Sequence, residues 1–517
     1  MKPMRRRDRT PISIWMRTTP ETAFPLLTGE HEVDVAIVGA GITGVTAAWL
    51  AQQQGHRVAL IDAEEVCSGV TAYTTAKLSA LQDAPYGRIA SDHGEDAARL
   101  YADANREAIR EIARITTALG IDCELATYPA CVYTTDEAEA DRLRREAEAA
   151  KRAGLPARFT TEIGLPWPVA GAVWVDDEAA FHPRKYCLGV AEAFAAAGGR
   201  VYEHSRVTDA TQDGDRVTLH TEDGRLHAAH VLLATQIPFL DRGGFFAKTS
   251  PQRSYGLVVR LERPVAPAAL YITRDGATRS LRPLPGHDGL IVGGENHKTG
   301  QDDDTRARYA ALEEFARRHF PVEAVVAHWS AHDYQPVDGL PYIGRLPRGS
   351  ERIQVATGFN KWGLTLGPVA AMSFVDSLAD RQPPWAELFD ATRVNVMASA
   401  RQFIAENANV GARFFGDRIR HAVEVDGPDL LMPGQGGVVR VAGQAVGGYR
   451  DEAGALHLVS LVCTHLGCHL TWNTGDRTWD CPCHGSRYGF DGVVIQGPAV
   501  RDLDRPDPPA DEPAKTD

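Results

Sequence analysis

Apolar and polar positions along the N-terminal region follow the order expected for a parallel sheet with helices between its strands. The apolar run Val33–Val38 is followed directly by the glycine-rich segment Gly39–Gly44 and then by a helical stretch from Val45 to Gln54. A second apolar run, Arg57–Asp62, completes the pattern. Strand, glycine turn, helix and strand at this scale predict a βαβ unit with two buried parallel strands.

Further segments extend this pattern to about residue 380. The apolar runs 230–235 and 353–358 predict two more buried strands. Segments with the composition of helices are residues 95–119, 136–153, 185–197, 304–318 and 363–378. Shorter apolar runs predict strands at residues 201–207, 216–220, 257–261 and 289–293. From about residue 423 the chain instead has short strands with frequent glycine, which predicts a small all-β domain.

Composition and charge narrow the class of protein. The 517 residues are 44% hydrophobic and 24% charged, which is the balance of a globular protein with large cores. The net charge of −13 disfavours a nucleic-acid partner. No run approaches the about 18–20 apolar residues of a membrane span, and the basic N terminus lacks the apolar segment of a signal peptide. The sequence therefore predicts a cytoplasmic protein.

The glycine-rich segment has the spacing of a dinucleotide-binding turn. Gly39 permits a tight turn after the strand, Gly41 lets a pyrophosphate approach the backbone, and Gly44 lets the helix pack closely on the sheet. The N terminus of that helix offers free N–H groups to the phosphates. Asp62 ends the second strand, where a carboxylate can bind ribose hydroxyls. These features together predict a bound dinucleotide, either FAD or NAD.

The chain from about residue 30 to 385 resembles the D-amino-acid oxidase-like family of FAD-dependent oxidoreductases. The resemblance rests on the glycine segment, the strand Val231–Thr235 and the segments Asp338–Gly344 and Gly358–Gly367. It implies FAD as the cofactor and a Rossmann-like FAD-binding domain with an inserted substrate subdomain. The residues that it implies around FAD are Gly39, Gly41, Ile42, Thr43, Gly44, Asp62, Thr74, Thr75, Ala76, Lys77, Val207, Gly358, Lys361, Trp362, Gly363 and Leu364.

The cysteines form two groups. Four of the eight are scattered through the first 190 residues and have the character of plain buried thiols, namely Cys67, Cys123, Cys131 and Cys187. The other four lie close together near the C terminus. Grouped cysteines in a cytosolic protein favour a metal site or a redox site over disulfide cross-linking alone.

The clustered segment contains two loops with the spacing of metal ligands. Cys463 and His465 form a C-x-H pair, and after fifteen residues Cys481 and His484 form a C-x-x-H pair. Two thiolates on one iron and two imidazoles on the other suit a Rieske-type [2Fe–2S] centre. A Cys₂His₂ zinc site is the alternative, although it leaves the two further cysteines of these loops unexplained.

Residues 425–504 resemble the Rieske domain, specifically the disulfide-bearing type of cytochrome bc complexes. The resemblance implies a disulfide between Cys468 and Cys483, one from each loop. It also implies that the hydroxyls of Ser486 and Tyr488 donate to a bridging sulfide and to a cysteine sulfur, which raises the potential of the cluster. A ring-hydroxylating oxygenase is disfavoured, because no histidine follows residue 504 to build a mononuclear iron site.

The two resemblances predict an α/β (α+β) chain in two parts. An N-terminal extension covers residues 1–30, the FAD-dependent oxidoreductase domain 31–385, a connecting segment 386–424, the Rieske domain 425–504 and a disordered tail 505–517. Within the first domain, the expected FAD-binding parts are about 31–91, 181–240 and 335–385, and the expected substrate parts are about 92–180 and 245–330.

A flavin domain and a one-electron cluster on one chain predict electron transfer within the molecule. The resemblance implies that an amine or amino acid delivers a hydride to FAD, after which single electrons pass to the cluster and to an external acceptor, either a protein or a quinone. One alternative is a redox carrier or sensor that has no organic substrate. Another alternative is a flavin reductase that receives its electrons through the cluster.

No catalytic residue is predicted. Five polar residues of the expected substrate parts could contact a substrate carboxylate, the arginines by paired hydrogen bonds and the tyrosines through their hydroxyls. These residues are Arg253, Tyr255, Tyr271, Arg279 and Arg282. A structural role is the more common one for each of these side chains.

Overall fold

A computed structural model describes residues 11–265, 267–285, 288–302, 304–347, 351–393, 424–425 and 427–506. Residues 11–393 form an N-terminal part with mixed α/β structure, and residues 424–506 form a smaller all-β C-terminal part. The two-part α/β prediction is confirmed. The predicted connecting segment 386–424 lies outside the described residues except for residues 386–393 and 424, and the predicted tail lies outside them except for its first two residues.

The first sheet of the N-terminal part has eight strands and a parallel centre. Across the sheet, six strands follow one another in the order Tyr342–Arg345, Ile353–Thr357, Gly224–Leu233, Gly29–Val38, Val58–Ile61 and Arg200–Tyr202. The strands Asp209–Asp213 and Arg216–His220 are antiparallel additions at Gly224–Leu233. The run Val33–Val38 lies at the centre because its apolar side chains are covered on both faces.

The second sheet has nine strands, most of which lie in the ranges 92–180 and 245–330 that are expected to form the substrate parts. Eight of them follow one another in the order Val322–Pro336, Thr249–Leu261, Gly289–Lys298, Arg279–Pro283, Leu270–Thr273, Ala126–Thr134, Gly171–Ala180 and Lys77–Leu78, and Arg158–Thr160 pairs with Gly171–Ala180. Its long strands Thr249–Leu261 and Val322–Pro336 pair antiparallel along their whole length. The C-terminal end of Val322–Pro336 returns to the first sheet, where Pro336 lies beside Gly358.

Helices cover the faces of these sheets. They are Ile14–Arg17, Ile42–Gln53, Tyr86–His93, Glu95–Leu119, Glu137–Arg152, Pro183–Ala196, Phe245–Lys248, Thr305–His319, Gly363–Leu378 and Ala386–Phe389, with 3₁₀ turns at Val70–Ala72 and Asp241–Gly243. The predicted helix 185–197 begins earlier, because Pro183 suits a first helical position and the His182 ring accepts a hydrogen bond from the Lys185 N–H. No helix of the described ranges has the length and apolar character needed to cross a membrane.

One strand prediction is wrong over most of its length. The strand predicted at 201–207 ends at Tyr202. Beyond it the Glu203 N–H donates to the Pro25 carbonyl and the Ser205 N–H donates to the Asp62 carbonyl. The chain therefore leaves the sheet edge and turns across the end of the second strand, which brings Val207 towards the glycine turn.

The C-terminal part consists of two four-stranded sheets. The first contains Glu424–Val425, Gly436–Val441, Gln444–Arg450 and Leu456–Val459, and the second contains Thr471–Asn473, Thr478–Asp480, Arg487–Gly489 and Val494–Gln496. The 3₁₀ turn Pro428–Leu430 precedes the strand Gly436–Val441. The two cysteine loops lie before and within the second sheet, where Trp479 and Tyr488 are fully buried.

Candidate functional site: a dinucleotide pocket beside two cysteine loops

The glycine turn has the close contacts that its spacing predicts. Gly39 has a φ of +103°, and a Cβ atom there would lie 2.5 Å from the Ala234 carbonyl oxygen. A Cβ atom at Gly44 would overlap the Gly39 carbonyl oxygen, so the helix Ile42–Gln53 can approach the strand only with glycine at this position. The turn therefore brings the N terminus of that helix to the carboxyl end of the central strand.

Asp62 shapes the same turn from the neighbouring strand. One carboxylate oxygen accepts a hydrogen bond from the Ala40 N–H at 2.6 Å, and the other accepts one from the Glu64 N–H at 2.8 Å. The side chain is half-buried at the rim of a pocket. Its position at the end of the second strand is the one from which a carboxylate contacts a ribose.

A pocket of about 230 Å³ opens at this turn. Ten of the sixteen predicted cofactor residues line it: Gly39, Gly41, Ile42, Thr43, Asp62, Thr74, Val207, Lys361, Gly363 and Leu364. They come from five separate stretches of the chain, so the fold brings together residues that are far apart in the sequence. Gly44 packs against the Gly39 carbonyl and does not line the pocket. Ala76 and Gly358 line neither this pocket nor the cavity beside it.

A second cavity of about 340 Å³ adjoins the pocket. The two share wall residues, which are Val70, Thr74, Asp333, Lys361 and Leu364. The remaining predicted cofactor residues Thr75, Lys77 and Trp362 line this second cavity. Its lining includes the aromatic side chains of Tyr73, Tyr255 and Trp329. A small molecule in this cavity would therefore lie beside whatever fills the pocket.

The four arginine and tyrosine candidates other than Tyr255 have structural contacts. Arg282 is buried and donates to the carbonyls of Thr75 and Phe181, and Arg279 pairs with Glu295 at 2.7 Å. The Tyr271 hydroxyl donates to the Ile163 carbonyl at 2.6 Å. Arg253 reaches into the C-terminal part, as described below. None of the three arginines is among the residues that line the described cavity.

The two cysteine loops place their predicted ligands in pairs. The thiols of Cys463 and Cys481 contact each other, and the rings of His465 and His484 lie 5.1 Å apart between centroids. The Nδ1 atoms of both histidines are buried without a hydrogen-bond partner among the residues that the structure describes. Two thiols and two unpartnered ring nitrogens in one buried region form a donor set for metal.

The predicted disulfide is present between Cys468 and Cys483. The Cys481 sulfur lies within 4.8 Å of both of its sulfurs. These two sulfurs are bonded to each other, so they are not thiolate ligands, and the disulfide instead joins the two loops. Cys67, Cys123, Cys131 and Cys187 are buried and free, as predicted.

Both predicted histidine ligands face the N-terminal part. The Nε2 atom of His465 lies 3.2 Å from a carboxylate oxygen of Asp241, and only 5% of the His465 side chain is exposed. The ring of Phe246 meets the rings of His465 and His484 edge-on, at 5.5 and 4.8 Å. The side of the loops that carries the imidazoles is therefore covered by the N-terminal part.

The C-terminal part also forms a wall of the dinucleotide pocket. Its residues Ile495, Gln496, Gly497, Ala499 and Val500 line the pocket together with the glycine turn. The Ala499 N–H donates to the Ser486 hydroxyl oxygen at 3.1 Å. Ser486 belongs to the second cysteine loop, so this hydrogen bond links the pocket wall at Ala499 to that loop.

Comparison with known families agrees with both halves of this description. The model of the DAO family, FAD-dependent oxidoreductases, matches residues 34–377, and the model of the Rieske [2Fe–2S] domain matches residues 421–507. The chain belongs to the DAO family of FAD-dependent oxidoreductases. It also carries a C-terminal Rieske domain, so its cofactors are FAD and a [2Fe–2S] cluster. This finding favours the cluster over the alternative Cys₂His₂ zinc site.

Individual relatives cover the whole chain or one part of it. A Rieske 2Fe–2S iron–sulfur protein of Bacillus subtilis, YhfW, is 34% identical over 95% of this chain and 97% of its own length. Glycine oxidase of Geobacillus kaustophilus is 26% identical over 70% of this chain and 97% of its own. The crystal structure of that glycine oxidase matches with a TM-score of 0.61, at 24% identity over 70% of this chain and 99% of the other.

The Rieske domain has its own relatives. An iron–sulfur subunit of the cytochrome b6-f complex of Synechococcus is 54% identical over 46 residues, which is 9% of this chain and 27% of the subunit. This agrees with the resemblance to the disulfide-bearing type.

The residues present fit both cofactors. The pocket of the DAO domain lies at the N terminus of the helix Ile42–Gln53, where a pyrophosphate can bind, and it has the Asp62 carboxylate for a ribose. Lys361 and Leu364 lie at the wall that the pocket shares with the second cavity. The loops of the Rieske domain have two thiols and two unpartnered imidazole nitrogens. We propose Cys463, Cys481, His465 and His484 as the iron ligands.

The pKa shifts of Cys463 and His484 suit metal binding, whereas that of Cys481 goes the other way. The hydrogen bond from Cys481 lowers the pKa of the Cys463 thiol, and the Tyr488 hydroxyl, 3.3 Å from its sulfur, adds to that effect. The same thiol–thiol hydrogen bond, together with burial, raises the pKa of Cys481. Burial lowers the pKa of His484 to about 4, so that its imidazole is neutral near pH 7. Thiolate and neutral imidazole are the forms that bind metals.

Asp333 is a site residue that the sequence analysis missed. It lines both the pocket and the cavity, and burial raises its pKa to about 6. Its carboxylate accepts hydrogen bonds from the N–H groups of Tyr334 and Lys361. Lys361 and Asn360 have left-handed backbone conformations, with φ of 71° and 49°. Asp333 therefore fixes the loop that carries Lys361, and no motif in the sequence marks it.

Proposed function

We propose that the protein is a dehydrogenase that oxidises an amine or amino acid in the second cavity and passes the electrons singly to an external acceptor through its Rieske domain. The observation that carries the proposal is that the Rieske domain forms part of the wall of the FAD pocket, through Ile495, Gln496, Gly497, Ala499 and Val500. Bound FAD takes up two electrons from an organic substrate and can release them one at a time, and a [2Fe–2S] cluster carries one electron.

The second cavity supports an organic substrate. Its lining combines aromatic and aliphatic side chains with polar groups that can orient a small molecule. It lies against the part of the pocket that Lys361 and Leu364 share with it, so a substrate there is held beside the cofactor. A simple electron carrier has no use for such a cavity. The relation to glycine oxidase favours a substrate with a C–H bond next to nitrogen.

Polar groups inside the cavity supply orientation. The Lys77 ammonium donates to the Tyr271 carbonyl at 2.7 Å and to the Ser280 hydroxyl at 2.8 Å, and burial lowers its pKa well below the ordinary value. Burial also lowers the pKa of Lys361, although the charges of Asp83 and Asp333 oppose this shift. The cavity therefore holds both amine and carboxyl side chains, and it suits a substrate that carries an amine and a small polar group.

The test is anaerobic mixing of the purified protein with a panel of amines and amino acids. We expect at least one compound to bleach the visible absorbance of the flavin and to generate the EPR signal of a reduced Rieske cluster. Flavin bleaching without any cluster signal would contradict the electron route. Failure of every amine, together with flavin reduction by a reduced one-electron donor, would favour the flavin reductase instead.

Oxygen is expected to be a poor acceptor. Because electrons have their own one-electron exit, turnover with ferricyanide should exceed turnover with O₂, and little hydrogen peroxide should form. The comparison is between wild-type protein and a variant without the cluster, measured by oxygen uptake and peroxide yield. Stoichiometric peroxide that does not change when the cluster is lost would identify a simple oxidase.

A further inference from the structure

An arginine of the DAO domain is buried inside the Rieske domain. Arg253, in the strand Thr249–Leu261, has no exposed surface, and its guanidinium donates to a carboxylate oxygen of Asp476. Its other terminal nitrogen lies 3.8 Å from Asp480. Asp480 ends a strand of the second sheet of the Rieske domain and directly precedes the proposed iron ligand Cys481, and Asp476 lies in the turn before that strand. The contact therefore joins the two domains close to the proposed cluster site.

The charges around Arg253 balance. Arg487 of the Rieske domain lies 3.5 Å from Asp476 and 3.2 Å from Asp480, so two arginines face two aspartates in a buried group. The pKa of Asp480 shows the effect, because burial alone would raise it, whereas the charges of Arg253 and Arg487 hold it below its ordinary value. Buried charges are tolerated when they are paired, and removing one partner leaves the others uncompensated.

Neutral hydrogen bonds from the DAO domain complete this group. The hydroxyls of Tyr309 and Ser330 donate to Asp476 at 2.8 and 2.5 Å. The Thr305 hydroxyl donates to Asn473 at 2.7 Å, and Asn473 in turn donates to Asp480 at 3.0 Å. Undocking the Rieske domain would expose or orphan all of these groups at once.

A second contact ties the pocket to the proposed ligands through one side chain. The Tyr334 hydroxyl lies 3.1 Å from the His484 carbonyl oxygen and 3.0 Å from the Gly497 carbonyl oxygen, and it donates its proton between them. Tyr334 is fully buried and follows Asp333, which lines the FAD pocket. Gly497 lines the same pocket from the other side. The hydroxyl therefore holds a pocket wall and a proposed ligand loop in one position.

The loop around His484 is packed too closely on the DAO domain for a loose association. Gly485 has a φ of +79°, and a Cβ atom there would lie 2.6 Å from Pro251 and 2.8 Å from the His332 ring. A Cβ atom at Gly300 would lie 2.8 Å from the Pro482 nitrogen. The backbone of the second cysteine loop therefore lies close against the DAO domain at both Pro482 and Gly485.

We propose that electrons cross between the two cofactor sites with the Rieske domain held in this docked position, and that Arg253 and Tyr334 are the positioning residues for the transfer. The inference rests on the proposed function. Oxidation of one amine to an imine yields two electrons and two protons. Two single electrons therefore cross the interface in turn, and two equivalents of an external one-electron acceptor are reduced. No movement of the Rieske domain is part of this sequence.

The experiment removes these contacts one at a time in the full-length holoprotein. Tyr334→Phe deletes one hydroxyl without changing the packing of the ring, and Arg253→Gln deletes the buried positive charge. Arg253→Lys restores a charge without the two-pronged geometry. The control is Arg260→Gln, which lies on the same strand but breaks only an exposed pair with Glu323. The FAD and iron content of each variant is measured first.

Transfer is started without an organic substrate, by a light flash that reduces FAD with EDTA as the sacrificial donor. Cluster reduction is then followed by visible absorbance and by freeze-quench EPR. Tyr334→Phe should slow it about tenfold, the effect of one lost hydrogen bond. Arg253→Gln should slow it more than Tyr334→Phe does, because it removes the contact with Asp476 and leaves the two buried aspartates with one arginine fewer. Arg253→Lys should lie between Arg253→Gln and the wild type, and Arg260→Gln should match the wild type.

Two further measurements separate positioning from stability alone. In the docked arrangement, the wild-type rate should not change when sucrose raises the viscosity. In the protein without cofactors, hydrogen exchange in Thr478–Asp480 and Arg487–Gly489 should increase in Arg253→Gln and not in Arg260→Gln. A rate that falls in proportion to viscosity would overturn the proposal, as would unchanged rates in Tyr334→Phe and Arg253→Gln.

The outcome also distinguishes this proposal from the proposed function. If the wild-type protein reduces its FAD after the flash but never its cluster, the electron route itself is wrong, and the positioning roles fall with it. If the wild type transfers electrons and the Arg253 and Tyr334 variants do so equally fast, only the positioning roles are wrong.

Discussion

The Cys463→Ser variant is expected to bind FAD but to contain no [2Fe–2S] cluster. The Cys463 thiol is buried, contacts the Cys481 thiol and has a lowered pKa, which are the properties of a thiolate ligand. A serine hydroxyl there is a poor ligand for ferric iron in a sulfide cluster. The FAD pocket should remain, since Cys463 is not among its lining residues. Iron and sulfide analysis and low-temperature EPR measure the loss.

The Cys468→Ser variant is expected to keep part of its cluster. It loses the disulfide, which contributes about 2–4 kcal/mol to stability in typical proteins. Backbone contacts still shape the loops, because the Cys463 N–H donates to the Cys468 carbonyl at 2.9 Å and the Gly485 N–H donates to the Cys481 carbonyl at 3.1 Å. The cluster should therefore assemble with lower occupancy, a lower melting temperature and a shifted potential.

Cys123→Ser is the matched control for this series. Cys123 is a buried free thiol far along the chain from the cysteine loops, and its sulfur lies 3.7 Å from the Thr116 hydroxyl, a polar neighbour for the new serine. It should have a full cluster and full FAD. The ligand assignment is wrong if Cys468→Ser loses iron as completely as Cys463→Ser, or if the metal of the wild-type protein is zinc.

The cysteine loops could be predicted from the sequence because their chemistry is local. Each loop holds its cysteine and histidine within four residues, and the disulfide joins cysteines only 15 residues apart. Because the ligands of each loop lie close together in the sequence, their spacing can be recognised there. The glycine turn was predictable for the same reason, since Gly39, Gly41 and Gly44 act within a single turn and its helix.

The docking of the two domains could not be predicted, because its contacts join distant positions. Arg253 and Asp476 are 223 residues apart, and Tyr334 and His484 are 150 apart. From the sequence, Arg253 is only an arginine of the expected substrate part, and it could either bind a substrate carboxylate or have a structural role. Its direction towards the Rieske domain depends on the register of Thr249–Leu261 with Val322–Pro336, which no local pattern contains. Asp333 escaped notice for the same reason.

The Gly41→Val variant is expected to purify as a folded protein with its cluster but without FAD. Gly41 has φ of −75° and ψ of −173°, an extended conformation that valine adopts readily, so backbone strain is not expected. A Cβ atom there would lie 3.0 Å from the Thr71 hydroxyl oxygen, which accepts a hydrogen bond from the Ile42 N–H, so only a small shift of this hydroxyl is needed. The two further methyl groups stand at the pocket lining, where a pyrophosphate must approach. Flavin absorbance and bound-FAD analysis measure the result.

Two other glycine variants show whether FAD loss in Gly41→Val reports on the pocket or on folding. Gly276→Val adds the same side chain where no atom lies within 4 Å, and it should keep both cofactors. In Gly44→Ala the new methyl group overlaps the Gly39 carbonyl, so the turn itself must shift, and both FAD content and thermal stability should fall. Gly41→Val should differ from it by keeping the melting temperature of the wild-type apoprotein. Full FAD occupancy in Gly41→Val would show that the pyrophosphate does not lie at this turn.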